Sequence, residues 1–135
     1  MTTDATPAPP TTGSGSVGSR FVTAIADKDT DALRGLLAHN VDFKGLTPRK
    51  FWEGANPDDV IETVFGNWFE ESDHIDEVVH TDQGEDVGDV KRIGYRFRIT
   101  TADGPHLVEQ QAYYYEYDDK ILYLRVVCSG YRPIT

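Results

Sequence analysis

The sequence predicts an α+β fold in which helices come first along the chain and an antiparallel sheet follows. Apolar residues recur at helical spacing between Val17 and Leu37. After Ser72 the chain instead alternates between apolar and polar residues and is divided by turn-forming segments. At 135 residues, with 39% hydrophobic residues, the chain is long enough for one domain with a substantial core. We expect that domain to cover residues 16–135.

Residues 1–15 differ in composition, because they are rich in Thr, Pro, Gly and Ser and offer almost nothing to bury. Such a segment cannot offset the entropy of ordering, so we predict a disordered tail. It lacks the basic start and apolar stretch of a signal peptide. The only cysteine, Cys128, excludes an internal disulfide. These features predict a cytoplasmic protein.

The charge balance restricts the possible partners. Thirteen Lys and Arg residues stand against 23 Asp and Glu residues, which gives a formal net charge of −10. Such a field repels phosphate backbones and anionic lipid surfaces. No run approaches the roughly 18 apolar residues that a membrane span needs. We therefore expect neither nucleic acid nor a membrane as a partner.

The first half of the chain predicts short helices. Val17 and Phe21 begin one amphipathic stripe, and a second stripe ends at Leu37 after a Lys-Asp-Thr-Asp break. Thr30 is the predicted N-cap of this second helix. Alternation over residues 41–43 then predicts a short strand.

Two further helix starts follow in the sequence. Thr-Pro at residues 47–48 predicts a single helical turn through Trp52. Asn-Pro-Asp-Asp at residues 56–59 predicts a longer helix to about residue 69, with Val60, Val64 and Trp68 as its buried stripe.

The second half predicts four strands, at residues 75–80, 90–100, 107–117 and 122–127. In the second of them, alternate residues are apolar, namely Ile93, Tyr95, Phe97 and Ile99. Arg92, Arg96 and Arg98 lie on the opposite face of the strand. Because side chains alternate across a strand, we expect one face of the sheet to be covered by the helices.

The segment Arg-Phe-Val-Thr-Ala-Ile-Ala-Asp-Lys-Asp-Thr-Asp-Ala-Leu at residues 20–33 resembles the opening of the nuclear transport factor 2-like, or SnoaL-like, superfamily. The order of elements agrees over about residues 16–133. Residues 46–53, 108–114 and 124–133 resemble functionally uncharacterised actinobacterial members more closely. The resemblance implies a cone-like fold, with N-terminal helices packed on a curved antiparallel sheet of about four to six strands. It also implies a pocket between the concave sheet face and the helices.

The resemblance does not imply one reaction, because the superfamily includes isomerases, cyclases, epoxide hydrolases, dehydratases and binding modules. Comparison with the ketosteroid isomerases puts Phe21 at the hydroxyl donor and Lys44 or Gly45 at the base. Phe cannot donate a hydrogen bond and Gly cannot abstract a proton. Tyr113 takes the place of the second donor. Neither this residue set nor the Asp-Arg-Asp set of the epoxide hydrolases is found.

Alternation along the third predicted strand suggests a polar stripe in the pocket. We expect the pocket to be lined by Phe21, Trp52, Tyr95, Glu109, Gln111, Tyr113, Leu124 and Val126. Such a site would bind a small apolar or mixed-polarity ligand without a cofactor. In an alternative interpretation, Glu109 and Gln111 satisfy tyrosine or arginine side chains across the sheet, or face a dimer partner.

Two other functions stay open. A SnoaL-like enzyme of the cyclase, dehydratase or isomerase type would use Glu109 or Asp42 as acid or base. A protein-interaction or accessory dimerisation domain would need no pocket. The resemblance also implies a homodimer formed through the outer sheet face, which would carry Tyr123, Arg125 and Val127 with Tyr114 and Glu116 as neighbours.

No metal site is predicted. His74 and His80 lie among carboxylates, but their spacing fits no ligand motif. Cys128 has no base placed beside it by the sequence and is interpreted as a small buried hydrophobe.

Overall fold

The protein is described by a computed structural model over residues 16–134, so the predicted tail of residues 1–15 lies outside the described range. The helices are α1 Val17–Ala26, α2 Thr30–Gly35 and α3 Pro57–Thr63, and α3 continues into a π-helical segment, Val64–Trp68. The strands are β1 Leu37–Thr47, β2 Lys50–Gly54, β3 His74–Gln83, β4 Lys91–Thr101, β5 Gly104–Tyr117, β6 Lys120–Cys128 and β7 Arg132–Pro133.

Each helix begins at a side-chain cap. Ser16, Asp29 and Asn56 precede the three helices, and each accepts a hydrogen bond from the backbone N–H three residues later. Pro57 then follows at the first turn of α3, where its missing N–H costs nothing. The prediction of Thr30 as a cap is wrong by one residue, because the Asp29 carboxylate takes that role.

The segment predicted as a helical turn at residues 47–52 is a β-hairpin, so that prediction is wrong. Thr47 pairs with Lys50 across a tight turn, and its hydroxyl donates to the Lys50 carbonyl at 3.1 Å. The same hydroxyl accepts from the Trp52 indole at 3.0 Å. Pro48 fixes a backbone angle that suits the second position of a turn as well as the first turn of a helix. The Thr-Pro signal therefore does not distinguish the two structures.

The helix predicted from residue 56 has the expected start and buried stripe. Val60, Val64 and Trp68 are all buried. After Thr63 the helix widens into the π-helical segment, a distortion that is frequent at functional sites. The wider turn is followed directly by Phe69, which is also buried.

Within residues 16–134, the strands form one curved sheet in the order β2-β1-β6-β5-β4-β3, with β7 paired to β5. The β1–β6 pair is parallel and the other pairs are antiparallel. The four strands predicted after Ser72 are present as β3 to β6. The sheet has seven strands because it also includes β2 and the two-residue β7, which the sequence did not indicate.

The core lies between the inner sheet face and the helices. Ile93, Tyr95, Phe97 and Ile99 are each no more than 1% exposed, which confirms the predicted buried face of β4. Phe21 of α1 packs against Tyr95 with ring centroids 6.2 Å apart. The α+β architecture with helices on one face of the sheet is therefore confirmed.

One close contact joins the π-helical segment to the sheet. A Cβ atom placed on Gly45 would lie 2.7 Å from the Trp68 ring, which is closer than real contacts allow. Phe43 and Trp52 also pack against Trp68, with ring centroids 5.9 and 6.3 Å away. Glycine at position 45 therefore lets the indole lie directly on β1.

We expect Gly45→Ala to lower the free energy of unfolding by about 1–3 kcal/mol, because the added methyl displaces a rigid ring in a packed core. The matched control is Gly35→Ala in α2, where an added Cβ meets nothing within 4 Å. This control should leave stability unchanged or slightly raised. Urea denaturation of both variants measures the difference. Equal stability of the two variants would contradict the close packing of Trp68 on Gly45.

Candidate functional site

The inner face of β5 carries the opposite set of residues from the one predicted. Glu109 lies directly opposite Arg96 of β4, and residues opposite each other in a sheet share a face. Glu109 and Gln111 are partly exposed and Tyr113 is 40% exposed, whereas Gln110 is 1% exposed. The prediction that Glu109, Gln111 and Tyr113 face the cavity is wrong.

The register of the β4–β5 pair explains this facing. Gln110 is directly opposite Tyr95, so it points inward with it. Val108 and Ala112 share that face and are buried. Tyr114 is 1% exposed on the same face, so its expected place on the outer surface is also wrong. The apolar character of Val108 and Ala112 was the signal in the sequence that could have indicated the correct facing.

Glu109 is held by an arginine on the outer face. Arg96 donates to one of its carboxylate oxygens from Nε at 3.0 Å and from Nη2 at 2.7 Å. The Gln111 carboxamide oxygen accepts from Arg92 at 2.8 Å. These contacts match the alternative interpretation in which both residues satisfy arginines across the sheet.

Asp42, the other candidate acid or base, also lies on the surface. Its carboxylate is 3.3 Å from the Arg125 guanidinium and 3.5 Å from the Lys44 ammonium. The hydrogen bond from Arg125 lowers the pKa of Asp42, and the charges of Arg125 and Lys44 lower it further. A carboxylate that is ionised in this way is a weak base, and it lies outside the interior.

The apolar residues predicted to line the pocket do come together. Phe21, Tyr95, Leu124 and Val126 are all no more than 2% exposed in the core. Trp52 is half-buried beside them and packs edge-on against Trp68. The structure thus brings these five predicted residues to the helix-covered face and leaves the three predicted polar residues outside.

Gln110 is the polar group that sequence reasoning missed. Its carboxamide oxygen accepts a hydrogen bond from the Tyr95 hydroxyl at 2.6 Å. Its amide nitrogen, Nε2, is buried and has no partner among the described residues. Burial, with the nearby Cys128, raises the pKa of Tyr95 well above its usual value. The Tyr95 hydroxyl therefore stays protonated and available as the donor to Gln110.

A second unpartnered donor belongs to Trp68. Its indole nitrogen, Nε1, is buried and has no hydrogen-bond partner within the described part of the chain. The ring lies on Gly45, one of the two positions that correspond to the isomerase base. The other position, Lys44, points outward to Asp42. The indole therefore lies over Gly45, one of the two positions that the sequence resemblance aligns with the isomerase base.

The chain after β6 closes one end of the interior. The Tyr131 hydroxyl lies 2.6 Å from the Trp68 carbonyl oxygen and 3.1 Å from the Asp73 carboxylate. Its ring stacks on Phe69 with centroids 6.3 Å apart. Burial, followed by the negative charge of Asp73, raises the pKa of Tyr131 far above its usual value. These contacts of Tyr131 hold the end of the π-helical segment against the chain that follows β6.

The remaining candidates do not form a site among residues 16–134. No group of three or more His, Cys, Asp or Glu side chains there could hold a metal ion. His74 is exposed and lies 3.5 Å from Asp76. Cys128 is partly buried against the core, and its sulfur accepts from the Gly130 backbone N–H at 3.3 Å. In the same range, no helix is long and apolar enough to cross a membrane.

A separate groove of about 640 Å³ opens on the surface where β1 begins. It is lined by Leu37, Ala38, His39, Asn40, Tyr117, Asp118, Lys120 and Leu122. The β1–β6 register shifts between Leu37 and Asp42, in the same part of β1. It contains none of the residues predicted to bind a ligand.

Solved structures show which fold this is. The chain is similar to a proposed polyketide cyclase from Silicibacter sp., with a TM-score of 0.68, 10% identity, and coverage of 84% of this chain and 87% of the other. It is similar to a proposed isomerase from Rhodopseudomonas palustris, with a TM-score of 0.65, 18% identity, and coverage of 85% and 90%. It is also similar to a Catenulispora acidiphila protein with a ketosteroid isomerase-like fold, solved in complex with trimethylamine. The TM-score is 0.64 and the identity is 12%, with coverage of 84% of this chain and 85% of the other.

The protein has the nuclear transport factor 2-like fold, which confirms the fold that the sequence resemblance implies. At these identities the similarity establishes the fold and no activity. The sequence matches no family model and no curated protein. The closer resemblance to actinobacterial members therefore has no support at the level of sequence.

The two buried tyrosines predict an alkaline loss of stability. Tyr95 and Tyr131 keep their protons in the folded protein, whereas an unfolded tyrosine loses its proton near pH 10. Their stabilisation is complete below about pH 10 and is lost as the pH rises above it, because only the unfolded state then releases protons. Each such group lowers the free energy of unfolding by about 1.4 kcal/mol per pH unit.

Urea unfolding between about pH 9 and about pH 11 measures this slope. We expect Tyr95→Phe to reduce it, whereas Tyr113→Phe on the outer face should leave it unchanged. A slope in Tyr95→Phe that equals the wild-type slope would contradict the protonated, buried state of Tyr95.

Proposed function

We propose that this protein binds a small, largely apolar molecule between the concave sheet face and the helices. The observation that supports this function is the fully buried Gln110 carboxamide, whose amide nitrogen has no partner in the described chain. A buried donor without a partner costs about 1–3 kcal/mol. Native proteins contain few such groups, and they occur at functional sites or where a water is bound. A ligand that accepts from Gln110 would remove this cost.

The surroundings of Gln110 suit a ligand of this kind. The buried polar or charged residues of the described chain are Thr63, His106 and Gln110. The Thr63 hydroxyl donates to the Asp59 carbonyl at 2.9 Å, and His106 Nδ1 lies 2.9 Å from the Gly104 carbonyl. Of these three residues, Gln110 is the one with a buried side-chain atom that has no hydrogen-bond partner among the described residues. The interior around it is otherwise aromatic and aliphatic. Apolar sites with few polar groups are typical of small-molecule binding.

Binding is favoured over catalysis by the positions of the carboxylates. Glu109 and Asp42 point away from the interior and are paired with Arg96 and Arg125. An acid or base must reach the reacting atoms within hydrogen-bond distance. Neither carboxylate meets this condition for a ligand beside Gln110.

The side chains around Gln110 are buried, so a ligand that reaches it has to pass the partly exposed residues at the edge of the core. The partly exposed aromatic residues packed against the core are Trp52, Phe65 and Tyr131. Rotation of the Trp52 side chain would expose the face of the Trp68 ring that it packs against. The binding site is therefore expected to be small and to open on ligand binding.

A double variant tests the proposal by separating stability from binding. We expect Tyr95→Phe combined with Gln110→Leu to be at least as stable as the wild type, because replacing both partners by apolar groups of similar shape removes an unsatisfied donor. A thermal-shift screen against a metabolite and hydrophobic-ligand library should give hits with the wild type. A ligand at 100 times its Kd adds about 2.7 kcal/mol of stability. These hits should be lost in the double variant.

The matched control is Gln111→Leu combined with Tyr113→Phe, which makes the same changes on the outer face of β5. This control should keep the hits. If no compound stabilises the wild type, or if the double variant keeps every hit, the proposed site is wrong.

We also infer that the protein forms a homodimer through the outer sheet face. Leu46 of β1 lies directly beside Phe51 of β2 and beside Val127 of β6. These three side chains are 51%, 53% and 47% exposed, so they form an apolar row on the surface. Tyr113 and Arg125 flank the row, and such mixtures are typical of interface cores.

Leu46→Glu places a charge in the middle of this row and should shift the protein from dimer to monomer. Val87→Glu is the control, because Val87 is 76% exposed in a loop away from the row. Size-exclusion chromatography with light scattering at high micromolar concentration measures both masses. A monomeric wild type would exclude the homodimer.

A further inference from the structure

Among the described residues Cys128 belongs to no metal-binding cluster, but it lies in line with Gln110 on the inner face of the sheet. Cys128 is the last residue of β6 and is directly opposite Gln110 of β5, which in turn is directly opposite Tyr95 of β4. Residues opposite each other in a sheet share a face, with Cβ atoms about 4.5–5.5 Å apart. Tyr95, Gln110 and Cys128 therefore form one row across three strands.

The amide nitrogen of Gln110 is turned away from Tyr95. The carboxamide oxygen accepts from the Tyr95 hydroxyl at 2.6 Å, so it is the oxygen that points toward β4. The nitrogen leaves the same carbon in a different direction and carries the N–H donors. It is buried and has no partner among residues 16–134, so the Cys128 sulfur does not accept from it. A buried donor without a partner thus neighbours Cys128 in the row.

The thiol of Cys128 can be reached from outside the core. Cys128 is partly exposed, whereas Tyr95 and Gln110 are each 1% exposed. The Gly130 backbone N–H donates to the Cys128 sulfur at 3.3 Å. The sulfur therefore has one N–H group directed at it already and the free N–H groups of Gln110 on the next strand.

The chain has no second cysteine. A thiol that reacts with a hydroperoxide first becomes a sulfenic acid, which condenses with another thiol to a disulfide where one is within reach. Within this chain no such thiol exists, and Cys128 is partly covered by the core. A sulfenic acid formed here would therefore persist until a reductant or more oxidant reached it.

One added oxygen atom would give the Gln110 amide a partner. The oxygen of a sulfenic acid is bonded to sulfur, so it extends the Cys128 side chain by one atom on the face that it shares with Gln110. It can accept a hydrogen bond from Gln110 Nε2, which removes the cost of a buried donor without a partner. This change needs room for a single atom only.

We propose that Cys128 is a site of reversible oxidation by hydroperoxides, and that the Gln110 amide holds the resulting sulfenic oxygen. The sulfur attacks one oxygen of hydrogen peroxide, so an S–O bond forms and the O–O bond breaks. The thiol proton goes to the departing oxygen, which leaves as water. Sulfur is oxidised and the peroxide is reduced. This inference does not rest on the proposed ligand, because the reduced protein keeps the Gln110 amide free.

Mass spectrometry of the intact protein after treatment with hydrogen peroxide tests the site. Dimedone traps the product, because it adds to sulfenic acids and not to thiols. We expect the folded wild type to gain one dimedone group, and dithiothreitol added before the trap should prevent this gain. Cys128→Ala should gain no dimedone, and it accounts for any oxidation of Met1, the other sulfur-containing residue.

The effect of oxidation on stability tests the role of Gln110. Urea unfolding of reduced and oxidised protein gives the change in the folding equilibrium constant. We expect oxidation to favour the folded state about three- to tenfold more in the wild type than in Tyr95→Phe combined with Gln110→Leu, since one ordinary hydrogen bond supplies a factor of this size. The matched control, Gln111→Leu combined with Tyr113→Phe, should behave as the wild type.

NMR reports the hydrogen bond itself. The side-chain NH₂ signals of Gln110, identified by their absence in Gln110→Leu, should move when Cys128 is oxidised. If the wild type gains no dimedone, or gains it only when unfolded in urea, the oxidation site is overturned. If oxidation changes the stability of the wild type and the double variant equally and leaves the Gln110 signals in place, the role of Gln110 is overturned. The thermal-shift screen uses reduced protein, so this inference and the proposed function can fail separately.

Discussion

The structure depends on covering one face of a curved sheet. The β4–β5 pair is in direct register over its length, so Tyr95 and Gln110 face inward together while Arg96 and Glu109 face outward together. Burial of the inward set under the helices removes apolar area from water and so stabilises the fold. The outward set includes the ion pair between Arg96 and Glu109. Because this pair is exposed to solvent, it contributes little to stability. The facing of every residue on these two strands follows from this division.

Within the buried set, Gln110 is the polar residue whose amide nitrogen has no partner among residues 16–134, and this is what suggests a function. An apolar residue there would avoid the cost of a free amide. Positions where a sequence departs from the residue that the fold favours are often functional. The Trp68 indole is a second departure of the same kind, and it lies on a glycine of β1 and at the end of a π-helical segment. Both departures leave a buried N–H group without a partner in the described part of the chain, and the one at Gln110 is the basis for the ligand that we propose.

Much of the fold could be predicted from local sequence. The Asn56 cap followed by Pro57 identified α3, and the alternation from Ile93 to Ile99 identified the buried face of β4. These signals act within a few residues of the chain. The hairpin between Thr47 and Lys50 was not predictable in the same way, because a Thr-Pro pair serves both a turn and a helix start.

The site was less predictable than the fold because it depends on a pairing across strands. The pattern of β5 allows Glu109 or Gln110 to face inward, and a shift of one residue exchanges the two sets. Val108 and Ala112 favour the set that contains Gln110, but the register with Tyr95, which depends on contacts distant in the sequence, is what places that set inward. Phe21, Leu124 and Val126 are buried on the inner side as expected, because their own apolar character determines their facing.

The most direct test of the central claim is an atomic-resolution crystal structure of the protein with a ligand identified by screening. The account predicts an acceptor atom of that ligand within about 2.7–3.2 Å of Gln110 Nε2, with the Tyr95 hydroxyl still bonded to the carboxamide oxygen. A structure in which Gln110 Nε2 instead donates to a protein atom, with the ligand bound outside the interior, would contradict it.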